Sequence, residues 1–331
     1  MGRAVLRFID PANGRHFEVT SNAEGRFHYI AVEPSHYRLE IFRNRRQQVS
    51  FPDVYLEWSS QPLLVEVNLQ KNSVKVTRQV ILAETFGSEL PAPAIAVPDN
   101  ADAAIVRAIN EKIAAAKTFM DAGDWDSALT AAKDATEIDP KRDLPWAWLA
   151  NVFCEEASHT AVHTDSMLQS CIQNYKYAIA IAPNATYYNN LGAAYSAMKQ
   201  WKEAAGNFRA AIQLNPDHAA LYHQNLGATL LKQAESLSNT EALKTLQLAT
   251  DEFSLAAAAS PPIAEAYYWK GLCELRLAAS EAPGFSYKMA DESFRHYLQL
   301  APAGKYASQA RAMRDGLQDL LAAAGKTASK P

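Results

Sequence analysis

The stretch from Asn184 to Pro216, NATYYNNLGAAYSAMKQWKEAAGNFRAAIQLNP, limits what this chain can fold into more than any other part of it. Tyr188, Leu191, Gly192 and Tyr195 recur at three- and four-residue steps, the spacing of one helical face. Lys199-Gln200 interrupts the apolar pattern. Trp201, Ala204, Phe208 and Ala211 resume it, and Pro216 ends it because proline cannot continue a helix. The pattern predicts two helices folded back on each other. Small residues (Gly192, Ala204, Ala211) stand where two backbones must approach, and aromatic rings fill the space beside them. A hairpin of this kind cannot bury its apolar face alone, so it demands neighbours.

The neighbours are present. The small residue of each first helix recurs as Ala116, Ala150, Gly192, Gly227 and Gly271, and that of each second helix as Ala128, Cys171, Ala204, Ala249 and Ala290. Four residues further on stand Ala132, Tyr175, Phe208, Phe253 and Phe294, and each unit ends near a proline: Pro140, Pro183, Pro216, Pro261 and Pro302. From a second-helix marker to the next first-helix marker the steps are 22, 21, 23 and 22 residues. Within units they are 12, 21, 12, 22 and 19, so the extra length of the second, fourth and fifth units falls on one edge of the stack.

The ordered tyrosine, Leu-Gly, tyrosine, alanine, phenylalanine, alanine and proline of Asn184–Pro216 resemble the tetratricopeptide repeat, a helix-turn-helix unit of about 34 residues. The resemblance implies an α-α superhelix of five repeats over residues 100–302. Asn100 would cap the first helix, and Asn239-Thr240-Glu241 would start one afresh. Tyr306 to Ala324, with Ala310, Met313, Leu317 and Leu320-Leu321 on one face, predicts a capping helix within 303–325. A disordered tail over 326–331 would follow.

Residues 1–85 have a different rhythm. Val5–Phe8, Phe17–Val19, Phe27–Ile30, Tyr37–Ile41 and Leu64–Leu69 alternate apolar and polar residues, which predicts half-buried strands of a small antiparallel β-sandwich. Thr20–Phe27 followed by Val32–Leu39 resembles the carboxypeptidase regulatory-like domain, a non-catalytic accessory sandwich with a carbohydrate-binding-like fold. Set against that family, the opening strand is missing, which implies a true start upstream of Met1. The whole is thus expected to be a multidomain β + α protein. Residues 86–99, FGSELPAPAIAVPD, read as an extended, semi-rigid, proline-rich linker.

The 331 residues carry a formal charge of -4, with no basic surplus for nucleic acid and no apolar run long enough for a membrane span. Cys154, Cys171 and Cys273 are odd in number and without paired spacing, so three core thiols are expected and no disulfide. No histidine heads a His-x-x-Glu pair. Gly-x-Ser-x-Gly, phosphate loops and dinucleotide loops are also missing, so no catalytic, cofactor or metal site is expected. His159, His163 and Asp165 share a metal-like spacing better explained as a polar helix end. Arg43, Arg45 and Arg46 read as a solvated hairpin tip. Phe51, Tyr55 and Trp58 serve either as sandwich packing or as a sugar platform.

Residues one step off the packing face of the first helices are the candidate peptide groove: Asn151, Glu155, Asn189, Asn190, Gln224, Asn225, Tyr268 and Arg276. Amides there can hydrogen-bond a peptide backbone. Repeat proteins that clamp a C-terminal carboxylate add cations, whereas Ala147, Leu221 and Asn225 occupy those places here. The expected function is a non-catalytic scaffold for a protein or peptide partner. The alternative is polysaccharide or cell-surface binding by the sandwich, with the repeats as spacer. Localisation stays open: the resemblance implies the periplasm or envelope, and the chain as written, without an export signal, the cytoplasm.

Overall fold

The computed structural model describes residues 4–11, 14–20, 35–43, 46–56, 63–68, 73–78, 90–96, 102–160 and 164–328. The chain divides into two compact units, one made of residues 1–84, 234–250 and 264–331, the other of 85–233 and 251–263.

In the first unit, β1 (Val5–Ile9), β2 (His16–Thr20), β3 (Ser35–Arg43) and β4 (Arg46–Leu56) form an antiparallel sheet in the order β2-β1-β3-β4. β5 (Leu63–Asn68) and β6 (Ser73–Arg78) form a separate antiparallel pair. Alternation along β1 and β3 buries Leu6, Phe8, Tyr37, Leu39 and Ile41, which pack with Phe51 and Val54 of β4. Phe17 stacks on Phe8 with ring centroids 4.8 Å apart. The outward residues pair across strands: Arg7 reaches Glu18 at 2.5 Å. β3 and β4 close at Arg43 opposite Arg46, where the basic run stands. β4 and β6 were absent from the sequence reading, and the expected strand at Phe27–Ile30 lies outside the described residues. So does most of the carboxypeptidase-like stretch.

Eleven α-helices follow among the described residues. α1 (Ala103–Asp121), α2 (Trp125–Ile138), α3 (Asp143–His159), α4 (Thr164–Ile181), α5 (Ala185–Ala197), α6 (Trp201–Leu214) and α7 (Ala219–Ala234) come first. α8 (Asn239–Ala257), α9 (Ala264–Ala279), α10 (Tyr287–Leu300) and α11 (Ala307–Ala328) complete the chain. The Asp124 side chain accepts from the Ser127 N–H at the start of α2, and Asn184 accepts from Thr186 at the start of α5. Each satisfies a donor the first turn leaves open. α1 begins after Asp102, and Asn100, the expected cap, lies outside the described residues. The two short turns share a device. Gly123 and Lys199, each seven residues after a first-helix marker, take left-handed backbone at φ 74° and 57°. Glycine does so freely, whereas lysine does so at a steric cost.

Helices pair as α1–α2, α3–α4, α5–α6 and α9–α10, with α2 against α3 and α4 against α5. The marker residues meet at the crossings. A Cβ added to Gly192 would stand 3.0 Å from the Phe208 ring, one on Gly227 3.0 Å from Phe253, and one on Gly271 2.9 Å from Phe294. Ala116, Ala128 and Ala132 share one buried cluster. Tyr222 of α7 is buried against Ala185 and Ala211.

In the first unit α11 packs on α10. Tyr306, just before it, stacks on Tyr268 with centroids 4.4 Å apart, and Arg314 pairs with Asp291 at 2.7 Å. α11 runs on to Ala328, so the tail expected from 326 is in part helical, as Ala322–Ala324 favour.

Two further expectations are corrected. Cys154 and Cys171 form a disulfide, with Cα atoms 5.4 Å apart, while Cys273 is free and buried. Their separation of 17 residues looked unpaired in the sequence. The lengthened α3–α4 hairpin folds back so that the two positions face each other within bonding range. Residues 90–96 of the expected linker bend at Pro93-Ala94 and dock on α1 and α3.

Candidate functional site: the face of the first helices

The spacing that puts Gly192 on the α5–α6 crossing turns Asn189 and Asn190 toward the neighbouring hairpins. Six of the eight candidate groove residues are thereby enclosed. Asn151, Asn189, Asn190, Gln224, Asn225 and Tyr268 are all 9% exposed or less. Glu155 and Arg276 are half-buried.

The enclosed amides form a ladder between helices. Asn190 Nδ2 donates to the Tyr175 hydroxyl on α4 at 2.9 Å, Asn189 Nδ2 to Asn190 Oδ1 at 3.1 Å, and Asn225 Nδ2 on α7 to Asn189 Oδ1 at 2.7 Å. One turn further along, the Thr229 hydroxyl donates to Ser196 Oγ at 3.1 Å. The Tyr187 hydroxyl ties α5 back to α3 through Asp143 at 2.8 Å. Burial, then that carboxylate, holds the Tyr187 phenol above its ordinary pKa, and burial does the same for Tyr175. Both therefore stay protonated, Tyr187 as donor to Asp143 and Tyr175 as acceptor from Asn190. Bonded in series from α4 through α5 to α7, the ladder specifies the spacing of the first helices. Its amides are committed to one another.

Asn151 points its amide at Met120 Sδ, 3.7 Å away. Gln224 is enclosed with no hydrogen bond to its Oε1. On α9, Tyr268 belongs to the aromatic stack with Tyr306. Burial lowers the Arg276 pKa from its ordinary value. Its neighbour Glu274, 1% exposed, accepts from the Ser293 hydroxyl at 2.6 Å, and burial raises its carboxyl above the usual range. The Cys273 thiol is pushed up to about 12 by burial and is not a nucleophile.

The other residues singled out in the sequence fall elsewhere. His159 closes α3, its Nδ1 2.8 Å from the Glu155 carbonyl and its ring beside Trp125. His163 lies outside the described residues, among which no cluster could hold a metal ion. Phe51 is a core residue of the sheet, so it is not free to face a sugar. The side chains of Tyr55 and Trp58 lie outside the described residues.

Two residues that sequence reasoning passed over do grip a peptide segment. The Asn110 side chain on α1 donates to the Ile95 carbonyl and accepts from the Ile95 N–H, both at 2.8 Å. The Trp148 indole on α3 donates to the Ala92 carbonyl at 2.8 Å. Ile95 packs against the buried cluster of Ile109, Ile113, Ala135, Leu144 and Trp148. The available signal was a second tryptophan two residues after Trp146. Asn110 offered none.

Residues 185–218, which span α5, α6 and the turn after them, match the tetratricopeptide repeat family model. Proteins of curated function include none with significant similarity in sequence. Among solved structures the chain is similar to pilF of Pseudomonas aeruginosa, with TM-score 0.51 and 19% identity over 68% of this chain and 90% of that one. It is also similar to MamA, with TM-score 0.45 and 18% identity over 61% of this chain and 95% of that one. The pilF likeness is one of fold. No helix among the described residues is long and apolar enough to cross a membrane.

Proposed function

We propose that this protein is a non-catalytic scaffold that takes a protein or peptide partner on the face of its first helices. The observation that carries the reading is the grip of Asn110 and Trp148 on the main chain at Ala92 and Ile95, since side chains arranged to bond a peptide's backbone suit peptide recognition. On this reading the five hairpins are five tetratricopeptide repeats capped by α11. Glu155 meets the ligand directly, and the enclosed Gln224 offers it an Oε1 that has no hydrogen bond. Asn151, Asn189, Asn190 and Asn225 hold the first helices at the spacing the ligand requires, and Tyr268 and Arg276 stand on α9 of the other unit. The N-terminal sheet serves as an accessory domain of the carboxypeptidase regulatory-like kind. The Cys154–Cys171 bond fits an oxidising compartment.

The test is panning of a displayed library of unstructured peptides on the full chain, with selected sequences measured by fluorescence anisotropy. Peptides should emerge whose binding weakens about fivefold with Glu155→Ala or Gln224→Ala, the loss of one hydrogen bond of about 1 kcal/mol. Binding indifferent to both substitutions would remove the face from consideration.

A further inference from the structure

Residues 90–96, LPAPAIA, carry no charge and no side-chain donor. Among the described residues they are held by three hydrogen bonds, all made to their main chain: Trp148 Nε1 to the Ala92 carbonyl, and the Asn110 amide to both the N–H and the carbonyl of Ile95. A primary amide bonded to both main-chain groups of one residue matches the donor-acceptor pair that any non-proline residue presents. Two side chains add selectivity. Pro91 is buried, and Ile95 packs against the apolar seat made by Ile109, Ile113, Leu144 and Trp148. Beneath the segment Ile109, Ile113 and Trp148 are at most 1% exposed. Trp148 lies one turn before Asn151 on α3, so the segment reaches the start of the face assigned to the partner.

We propose that residues 90–96 are an exchangeable internal ligand: the Asn110–Trp148 site is a peptide-binding site that the chain fills with its own segment. The partner that displaces it is an uncharged, proline-bent peptide with an aliphatic residue three positions after the carbonyl bonded by the tryptophan. The chemistry of the occupant argues for this partner, because a charged residue at the position of Ile95 would bring an unpaired charge into an apolar seat. The inference rests on the peptide-binding reading of the first-helix face and goes further, in that it assigns the site, the sequence class and the competitor. Tethering places the segment at an effective concentration on the order of millimolar, so an external peptide must compete against that.

The experiment uses the full chain and a fluorescein-labelled peptide LPAPAIA flanked by glycines. Ile95→Asp releases the chain's own segment, so this variant should bind the peptide at least about tenfold more tightly than the wild type does. Adding Asn110→Ala to the variant should abolish that binding, and a peptide with aspartate in place of its isoleucine should not bind at all. Equal binding by variant and wild type, or no binding by a variant whose circular dichroism is unchanged, overturns the proposal. A second measurement needs no substitution. In isotope-labelled wild type, saturating unlabelled peptide should speed exchange of the Ile95 amide hydrogen, now bonded to Asn110. An unmoved exchange rate at saturation overturns the proposal. If library-selected peptides bind through Glu155 and Gln224 while the Ile95 amide stays protected, the scaffold reading stands and the internal-ligand reading falls.

Discussion

The α3–α4 and α5–α6 hairpins sit side by side and solve one packing problem with different residues. In α5–α6 the Phe208 ring lies on Gly192, where a Cβ would come within 3.0 Å, and the turn between the helices is short. In α3–α4 the corresponding pair is Ala150 and Tyr175, both fully buried. The phenol has a polar tip, which the fold employs by bonding it to Asn190 of the next hairpin. The helices are longer, and the Cys154–Cys171 bond ties them. The lesson is that the crossing itself is interchangeable provided the volume is conserved and any polar atom finds a partner. A hairpin with a longer connection gains more from a cross-link, which removes loop-closure entropy from the unfolded chain.

The comparison can be broken most severely at Phe208. Phe208→Ala should cost about 3–5 kcal/mol, because the ring is 1% exposed and α6 cannot collapse onto Gly192 without moving. Urea titration of the helical circular dichroism would show it. A loss under about 1 kcal/mol would mean that the α5–α6 hairpin is not held at this crossing.

Next in size is the covalent tie. Reducing Cys154–Cys171, or replacing both cysteines by alanine, should lower stability by about 3 kcal/mol, as for a loop of similar length. Chain purified without reductant should titrate with one thiol on unfolding. Three thiols would remove the distinction between the two hairpins.

The smallest effect tests whether a polar group enclosed at a helix crossing always needs its charge. Burial raises the Glu274 carboxyl, so the folded chain holds its proton more tightly than the unfolded chain does. That contribution to stability is present at low pH and lost as pH rises from the ordinary carboxylate range through the folded value. Glu274→Gln keeps an acceptor for Ser293 and removes the charge, at the expense of the long contact with Lys270 at 3.7 Å. Its melting temperature should rise by a degree or two relative to the parent at neutral pH and match it near pH 4, roughly the ordinary carboxylate pKa. A fall at neutral pH would show that the Lys270 pair outweighs the desolvation of Glu274.

The helical register was legible in the residues themselves. Gly192, Gly227 and Gly271 were marked as close approaches, and each meets the ring four residues past its second-helix marker. The start of α8 at Asn239 and the interruption at Lys199 were legible too. The sheet was only half legible. β1, β2, β3 and β5 alternate clearly, but β4 contains Pro52 and a polar run, and its pairing with β3 shifts register at Tyr37/Leu39 and Ile41/Phe42. The groove residues were identified by face and misjudged in exposure. Helical period says which way Asn189 and Asn225 point, but not that the neighbouring helix is near enough for them to bond at 2.7 Å.

The order of small and aromatic residues therefore determined, by itself, that this chain builds helical hairpins in constant phase. Backbone propensity and a 3.6-residue period are local properties, written over stretches of a dozen residues. Which distant groups meet was decided by the tertiary structure. Cys154 reaches Cys171 only because α3 and α4 fold back at that length, and Asn110 finds Ile95 only because the proline-spaced segment turns onto α1. Such contacts depend on the separation and tilt of packed helices to within about an ångström, the tolerance of a hydrogen bond or a disulfide.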